Sequence, residues 1–256
     1  MTSEPEAATG SRRGLAPMPA NWQRALAIAA HPDDLEYGAV AAVAEWTDAG
    51  REVAYTLVTR GEAGIDGVPP AECAPLREAE QRASAAVAGV TEVTFLDHRD
   101  GMIEDGLRLR RDLVAQIRRH RPELLLTINH HDTWGGTFWN TPDHRVVGRA
   151  VLDAAGAAGN RWIFPELLTE EGLRPWDGVR WTAVAGSPFP THAHEVDAGI
   201  ERAVASLTEH AAYIRGLGAA ESDPAAYARE FVTGMLRRSG EEHRGRPAVT
   251  FELHPR

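Results

Sequence analysis

The sequence predicts an α/β protein built on a mostly parallel sheet with helices on both faces. Three observations predict it. Short apolar β-type runs alternate with longer helical patterns from Trp22 onward, 43% of the 256 residues are hydrophobic against 25% charged, and no Gly/Pro/Ser-rich linker divides the chain. Residues 25–30 (ALAIAA) form a short apolar run that stops at His31-Pro32, compatible with a buried strand although its alanines would also suit a helix. Residues 38–49 have helix character and end at Gly50, a residue suited to a C-cap. Residues 52–58 and 92–96 read as strands, with an Ala-, Arg- and Glu-rich helix over residues 75–87 between them. An amphipathic helix over residues 107–120 leads to a strand over residues 123–128 and a helix over residues 143–158. Asp143 there is a first-turn anion at the positive end of the helix dipole. The second part is less regular. Residues 179–185 alternate like a strand, 197–217 read as one long helix, 225–238 as another, and 249–253 as a late edge strand. The expected organisation is a flexible tail over residues 1–20 and a single domain over residues 21–256.

Composition narrows the chemistry. With 27 Lys+Arg against 37 Asp+Glu, the formal net charge is −10, and nucleic acid, which needs a basic field, is not an expected partner. All 27 cations are Arg, so a Schiff-base lysine and a P-loop lysine are excluded. Cys73 is the only cysteine, which excludes an intramolecular disulfide and a thiolate-rich zinc site. Residues 1–20 contain neither a signal-type apolar core nor a span of about 20 apolar residues. The expected location is therefore cytoplasmic, with no membrane partner.

In open α/β sheets, ligands bind beyond the carboxyl ends of the strands. Four candidate strand ends are followed by His31-Pro32-Asp33-Asp34, by Thr59-Arg60-Gly61-Glu62-Ala63-Gly64, by Asp97-His98-Arg99-Asp100-Gly101, and by Asn129-His130-His131-Asp132. A loop over residues 133–142 then leads to Asp143-His144 at the start of a helix. Two adjacent carboxylates cost energy unless a cation offsets them. His nitrogen and Asp oxygen suit a divalent metal such as Zn2+, which in catalytic sites keeps three protein ligands and one open position. His31 and Asp34 would reach one ion from a single turn, His144 could supply the third ligand, and the other Asp is left to act as a base. On spacing alone a second reading stands beside this one: His31 and Asp34 cap a helix and Asp33 is solvated.

Ala30-His31-Pro32-Asp33-Asp34-Leu35-Glu36, with the later Pro142-Asp143-His144-Arg145, resembles the PIG-L/LmbE-like zinc deacetylases. That family includes N-acetylglucosaminyl deacetylases, glycopeptide-antibiotic deacetylases and mycothiol-conjugate amidases. The resemblance continues through Thr59-Arg60-Gly61-Glu62-Ala63-Gly64, Arg77-Glu78-Ala79-Glu80 and Asp100-Gly101, and thins after His144 to residues 192–197 and Glu209-His210. It implies a Rossmann-like (LmbE-like) sandwich, with His31, Asp34 and His144 as ligands of Zn2+ and Asp33 as general base on zinc-activated water. Fe2+ suits the same ligand set. The implied reaction is deacylation of an N-acyl amine, and the implied partner a small N-acylated sugar or glycoconjugate. Arg77 and Asp100 match positions that hold the polar sugar or its anionic substituent, and Glu62 a loop lining the same mouth.

One departure matters. Many relatives read His-Pro-Asp-His, where the first His helps stabilise the tetrahedral oxyanion. Thr141 stands at that position, so Asp143, grouped with Asp33 as catalytic, lacks its usual imidazole partner. A hydroxyl cannot carry the positive charge that makes a donor strong at a developing oxyanion. His130 or His131 is the expected substitute; the alternative is that both line a polar loop.

Trp134, Phe138 and Trp139 either stack on a sugar or anchor their loop. His98, His120, His243 and His254 read as solvated, His192 and His194 as approaching the pocket from its far side, and His210 as structural. The rival from another functional class is a non-catalytic sugar- or metabolite-binding protein on the same scaffold. A dinucleotide-dependent oxidoreductase would need Gly-x-Gly-x-x-Gly where His31-Pro32-Asp33-Asp34 stands. The acyl group and the oligomeric state stay open, a homo-oligomer included.

Overall fold

The computed structural model describes residues 14–218 and 223–256. The first half of the chain runs β1 (Ala16–Pro17), β2 (Arg24–Ala29), α1 (Asp34–Gly38), α2 (Val40–Asp48), β3 (Glu52–Leu57), α3 (Pro70–Val87), β4 (Glu92–Phe95) and α4 (Leu107–His120). It continues with β5 (Leu124–Ile128), β6 (Thr133–Trp134), β7 (Phe138–Trp139), α5 (Pro142–Ala157), α6 (Glu166–Thr169), β8 (Trp181–Ala185) and β9 (His192–Glu195). α7 (Gly199–Thr208), α8 (Ala211–Gly216), α9 (Pro224–Glu242) and β10 (Ala248–Pro255) complete it. Eight strands form one sheet in the order β1-β9-β10-β8-β5-β2-β3-β4, and β6 and β7 form a separate hairpin. Only β10 runs against its neighbours; the other pairings in the sheet are parallel.

A sheet covered on both faces needs apolar residues at successive positions, and β2 supplies them. Ala25, Ala27 and Ala29 enter one core with α2, α7 and α9; Leu26 and Ile28 enter the other with α4 and α5. That is why ALAIAA lacks the alternation of a half-exposed strand. Local chemistry sets several helix ends. Thr141 caps α5, its Oγ1 accepting the His144 N–H at 3.3 Å, with Pro142 in the first turn. Arg118, Arg119 and His120 occupy the last turn of α4, where cations suit the dipole.

Four differences from the sequence expectations have physical causes. Of the expected tail, residues 1–13 lie outside the described residues, while Ala16–Pro17 pairs with His192 and Ala193 of β9. The helix expected over residues 197–217 breaks at Glu209-His210, because His210 is buried and the Glu80 carboxylate accepts the Ala212 N–H at 2.6 Å, starting a new helix. β10 is not an edge strand: β9, whose HAHE sequence carries no apolar run, pairs outside it. Finally, α3 begins five residues earlier than the helix expected from position 75, with Pro70 in its first turn. Among the described residues, no helix is long and apolar enough to cross a membrane.

Candidate metal centre and catalytic cleft

β2 and β5 are neighbours in the sheet, yet the chain leaves them in opposite directions: β2 continues to β3 and β4 on one side, β5 to β8 on the other. The gap between their carboxyl ends is the position where open α/β sheets bind ligands. His31, Asp33 and Asp34 follow β2, and Asn140, Asp143 and His144 follow β5. They meet at one end of a cleft of about 1460 Å3.

Three donor atoms converge there, all within 4.8 Å of one another: a ring nitrogen of each of His31 and His144, and an Asp34 carboxylate oxygen. His31 Nδ1 lies 3.3 Å from His144 Nε2, which lies 3.0 Å from Asp34 Oδ1. Asp34 Oδ2 also accepts the His31 backbone N–H at 2.8 Å. The far side of each ring decides which nitrogen carries the proton. His31 Nε2 faces Asp143 Oδ2 and Asp100 Oδ1, each at 3.1 Å, so it is a donor and Nδ1 is the nitrogen turned to the cluster. His144 Nδ1 faces Asn140 Oδ1 at 3.0 Å. The Asn140 amide is oriented by its Nδ2, which donates to the carbonyls of Asn129 at 2.8 Å and His131 at 3.0 Å, so Oδ1 accepts and His144 Nε2 keeps its lone pair. Two ring nitrogens and a carboxylate therefore face one another, an arrangement that added positive charge, a proton on His31 or a bound ion, satisfies. The donor set fits a divalent metal held by nitrogen and oxygen.

Electrostatics agree. Burial would lower the His31 pKa, but Asp34, Asp100 and Asp143 override it and hold it well above its ordinary value: the site draws positive charge. Burial would raise Asp34, but His144 and His31 keep its carboxyl below the usual carboxylate range. Asp33 is different. Burial pushes its carboxyl up and Arg77 opposes, leaving it at about 6. Asp33 is 5% exposed and has a left-handed backbone, φ 86°. At the N-cap of α1 its carboxylate makes no capping hydrogen bond and is buried, so the capping reading, which needed a solvated Asp33, does not describe this turn.

The PIG-L family profile, described as GlcNAc-PI de-N-acetylase, matches residues 26–155, half of the chain. This chain belongs to the PIG-L family. It is 34% identical over 139 residues to diacetylchitobiose deacetylase of Thermococcus kodakarensis, covering 54% of this chain and 51% of that one. It is 31% identical over 201 residues to a 1D-myo-inositol 2-acetamido-2-deoxy-alpha-D-glucopyranoside deacetylase of Nocardioides sp., covering 64% and 63%. The chain thus spans between half and two thirds of the length of these curated relatives. In fold it is similar to N,N'-diacetylchitobiose deacetylase from Pyrococcus horikoshii, with TM-score 0.82 and 22% identity over 92% of this chain and 85% of that one. It is also similar to the 4-carboxy-2-hydroxymuconate hydratase from Pseudomonas putida, with TM-score 0.71 and 18% identity over 91% and 97%. The LmbE-like fold therefore carries more than one chemistry, and the site has to decide the reaction.

The other residues singled out in the PIG-L pattern are already engaged. Arg77, 1% exposed, donates to Asp33 Oδ2 at 2.7 Å and to the Pro32 carbonyl at 2.6 Å, and lies 3.9 Å from the Tyr213 ring centre. Asp100 lines the cleft, and its Oδ1 receives His31 Nε2 while its Oδ2 receives the Ala63 N–H. Glu62 accepts the Asp100 N–H at 2.9 Å and does not line the cleft. Asp143, 1% exposed, has found an imidazole in His31 and also accepts the Gly101 and Ile103 amides. His131 lines the cleft, with Nε2 on Glu252 Oε2 at 2.7 Å; His130 stacks behind it, ring centres 4.3 Å apart, outside the lining.

Trp134 stands edge-on to the His144 ring at 5.9 Å, Phe138 is exposed on the cleft lining, and Trp139 is exposed under the Arg145 guanidinium, outside the lining. His192 and His194 lie in β9 away from the cleft, and His98, His120 and His243 are paired with Asp112, Glu92 and Glu195 rather than solvated. Sequence reasoning missed Asn140 and Gln81. Each had a signal: Asn140 stands directly before the helix cap Thr141, four residues ahead of His144, and Gln81 follows Arg77 by one turn on the same face of α3.

Proposed function

We propose that the protein is a metal-dependent hydrolase that removes the acyl group from an N-acetylglucosaminide or a related small glycoconjugate. The observation that carries this reading is the convergence of a ring nitrogen of His31, one of His144 and the Asp34 carboxylate, with a second carboxylate, Asp33, next to them. His31, Asp34 and His144 would hold the ion, Zn2+ or Fe2+. Such a metal supplies a Lewis acid that polarises a carbonyl and lowers the pKa of water.

The chain's own groups do the rest. Asp33, buried beside Arg77 and outside the three groups that face the ion position, is placed to accept a proton. It takes that proton from water as the oxygen attacks the acyl carbon. It then returns the proton to the departing nitrogen as the C–N bond breaks, giving a short carboxylic acid and a free amine. Asp143 and Asp100 orient His31; Arg77 orients Asp33. With Thr141 engaged as a helix cap, His131, its Nε2 held by Glu252 Oε2, is the imidazole on the cleft wall suited to support the oxyanion. A sugar-binding protein on this scaffold has no use for a buried carboxylate held beside the ion site, and that reading is not favoured.

The test combines elemental analysis with amine release from N,N'-diacetylchitobiose and from N-acetylglucosaminyl-inositol. Purified protein is expected to hold one divalent ion and to release amine. His144→Ala should lose the ion; Asp33→Asn should keep it and lose at least about 100-fold in kcat. Metal-replete wild-type protein that releases no amine from N-acylated glycosides would overturn the reading.

A further inference from the structure

The left-handed backbone of Asp33 is uncommon for a residue with a Cβ, even an Asp, and persists where the surroundings hold it. Two side chains of α3, one turn apart, hold it here. Arg77 takes the carboxylate; Gln81 takes the backbone, its Oε1 accepting the Asp33 N–H at 2.8 Å. An amide can be turned either way, and turned the other way Gln81 would present N–H to N–H. Its orientation is fixed from behind: Gln81 Nε2 donates to Glu36 Oε1 at 2.9 Å, and Ser84 Oγ donates to the same oxygen at 2.7 Å. Ser84 Oγ also lies 2.7 Å from Ser206 Oγ, and His210 Nε2 stands 3.7 Å from Glu36 Oε2. Glu36, Gln81, Ser84, Ser206 and His210 are all fully buried.

We infer that Gln81, oriented by Glu36, is a positioning residue that sets the backbone of Asp33 and thereby the aim of its carboxylate into the cleft. This rests on Asp33 being the base proposed above. A buried polar cluster is an expensive way to fill a core, and apolar residues of similar volume would pack at least as well. What apolar side chains cannot supply is an acceptor at the Asp33 N–H. Glu36 belongs to the same helix as Asp34, and Gln81 to the same helix as Arg77. The network therefore locks α1 to α3 at the one residue whose carboxylate has to stay beside the ion without binding it.

The experiment measures kcat and KM on N,N'-diacetylchitobiose, bound metal, and exchange of the Asp33 amide by NMR, in wild type and in Gln81→Met, Glu36→Gln, Gln81→Glu, Asp33→Ala, the pair Asp33→Ala/Gln81→Met and the swap Glu36→Gln/Gln81→Glu. Gln81→Met is expected to lower kcat about 10–100-fold, the range of loss when a supporting residue is removed, with KM within about twofold and the metal retained. In the Asp33→Ala background it should cost nothing further, because the group it aims is gone. Gln81→Glu sets two carboxylates against each other and should lose activity. The swap reverses donor and acceptor between the two positions, still offers an oxygen to Asp33 N–H, and should recover most of it. Asp33 amide exchange, which needs no substrate, should accelerate at least about tenfold in Gln81→Met and return towards wild type in the swap.

Wild-type kcat and amide protection in Gln81→Met, or an equal loss in the Asp33→Ala background, would overturn the inference and leave the base assignment intact. Wild-type activity in Asp33→Ala would instead remove the base assignment, and amide exchange would still decide whether Gln81 holds the turn.

Discussion

Asn140 shows how much one side chain can decide. Its amide donates to two carbonyls and accepts from the Thr141 amide at 2.9 Å and from His144 Nδ1, so it fixes the tautomer of the His144 ring. Asn140→Ala frees the ring to rotate and to protonate at either nitrogen. Metal affinity is expected to fall about 10–100-fold, read by competition with a chelator at fixed pH. Asn140→Asp keeps an acceptor opposite Nδ1 and should lose less; an Ala variant that holds metal as tightly as wild type would contradict this account. The sequence made His31, Asp33, Asp34 and His144 legible because they sit in short motifs whose chemistry is local. It did not disclose that Arg77 faces Asp33, or that Asp100 and Asp143 share His31 Nε2. Those contacts depend on how the segments that follow four strands, loops and helices alike, pack over one another, and no spacing in one segment encodes them.

At the scale of elements, apolar runs buried on both faces were legible as strands and the long Ala-rich patterns as helices. What was lost were short polar pieces whose structure comes from their neighbours: β9, held by β10 on one side and β1 on the other, and the break between α7 and α8, set by His210 and Glu80. The β6–β7 hairpin belongs with these. It reads as a Gly-rich loop, yet its Trp134 forms the cleft wall beside His144, and this depends on Gly186 at the end of β8. Gly186 has φ 68°, and a Cβ there would lie 2.6 Å from Trp134 Cζ3. Gly186→Ala combines left-handed strain with a displaced indole, a loss of about 1–3 kcal/mol. It is expected to lower Tm and to raise KM, because the wall moves into the cleft. Adding Trp134→Ala removes the collision but not the strain, so Tm should recover in part. A Gly186→Ala protein with unchanged Tm and KM would show that the hairpin does not depend on this approach.

For the whole molecule, the buried imidazoles behind the cleft set how it meets acid. Burial, reinforced by the neighbouring His131, holds the His130 pKa down to about 4, against about 6.5 in an unfolded chain. Between those values the unfolded chain binds a proton that the folded chain refuses, so stability rises with pH across that window and is lost as pH falls from about 6.5 towards 4. Glu252, held low by Ser187 and His131 although burial opposes them, acts in the same direction further down: its contribution is present above the ordinary carboxylate range and disappears as pH falls below it. The two windows adjoin, so the acid side of the stability profile should decline in two overlapping stages. His130→Asn keeps a polar side chain of similar reach against Gly148 and removes the titrating ring. Thermal unfolding of wild type and variant at pH 7, 5.5 and 4.5 isolates the first stage. Any ion lost from His31 and His144 on acidification is lost by both proteins and cancels in the comparison. The Tm gap between them should shift in favour of the variant as pH falls, with nearly all of that shift complete by pH 4. A gap that stays constant from pH 7 to 4.5 would mean that the folded protein accepts the proton on His130 as readily as the unfolded chain does.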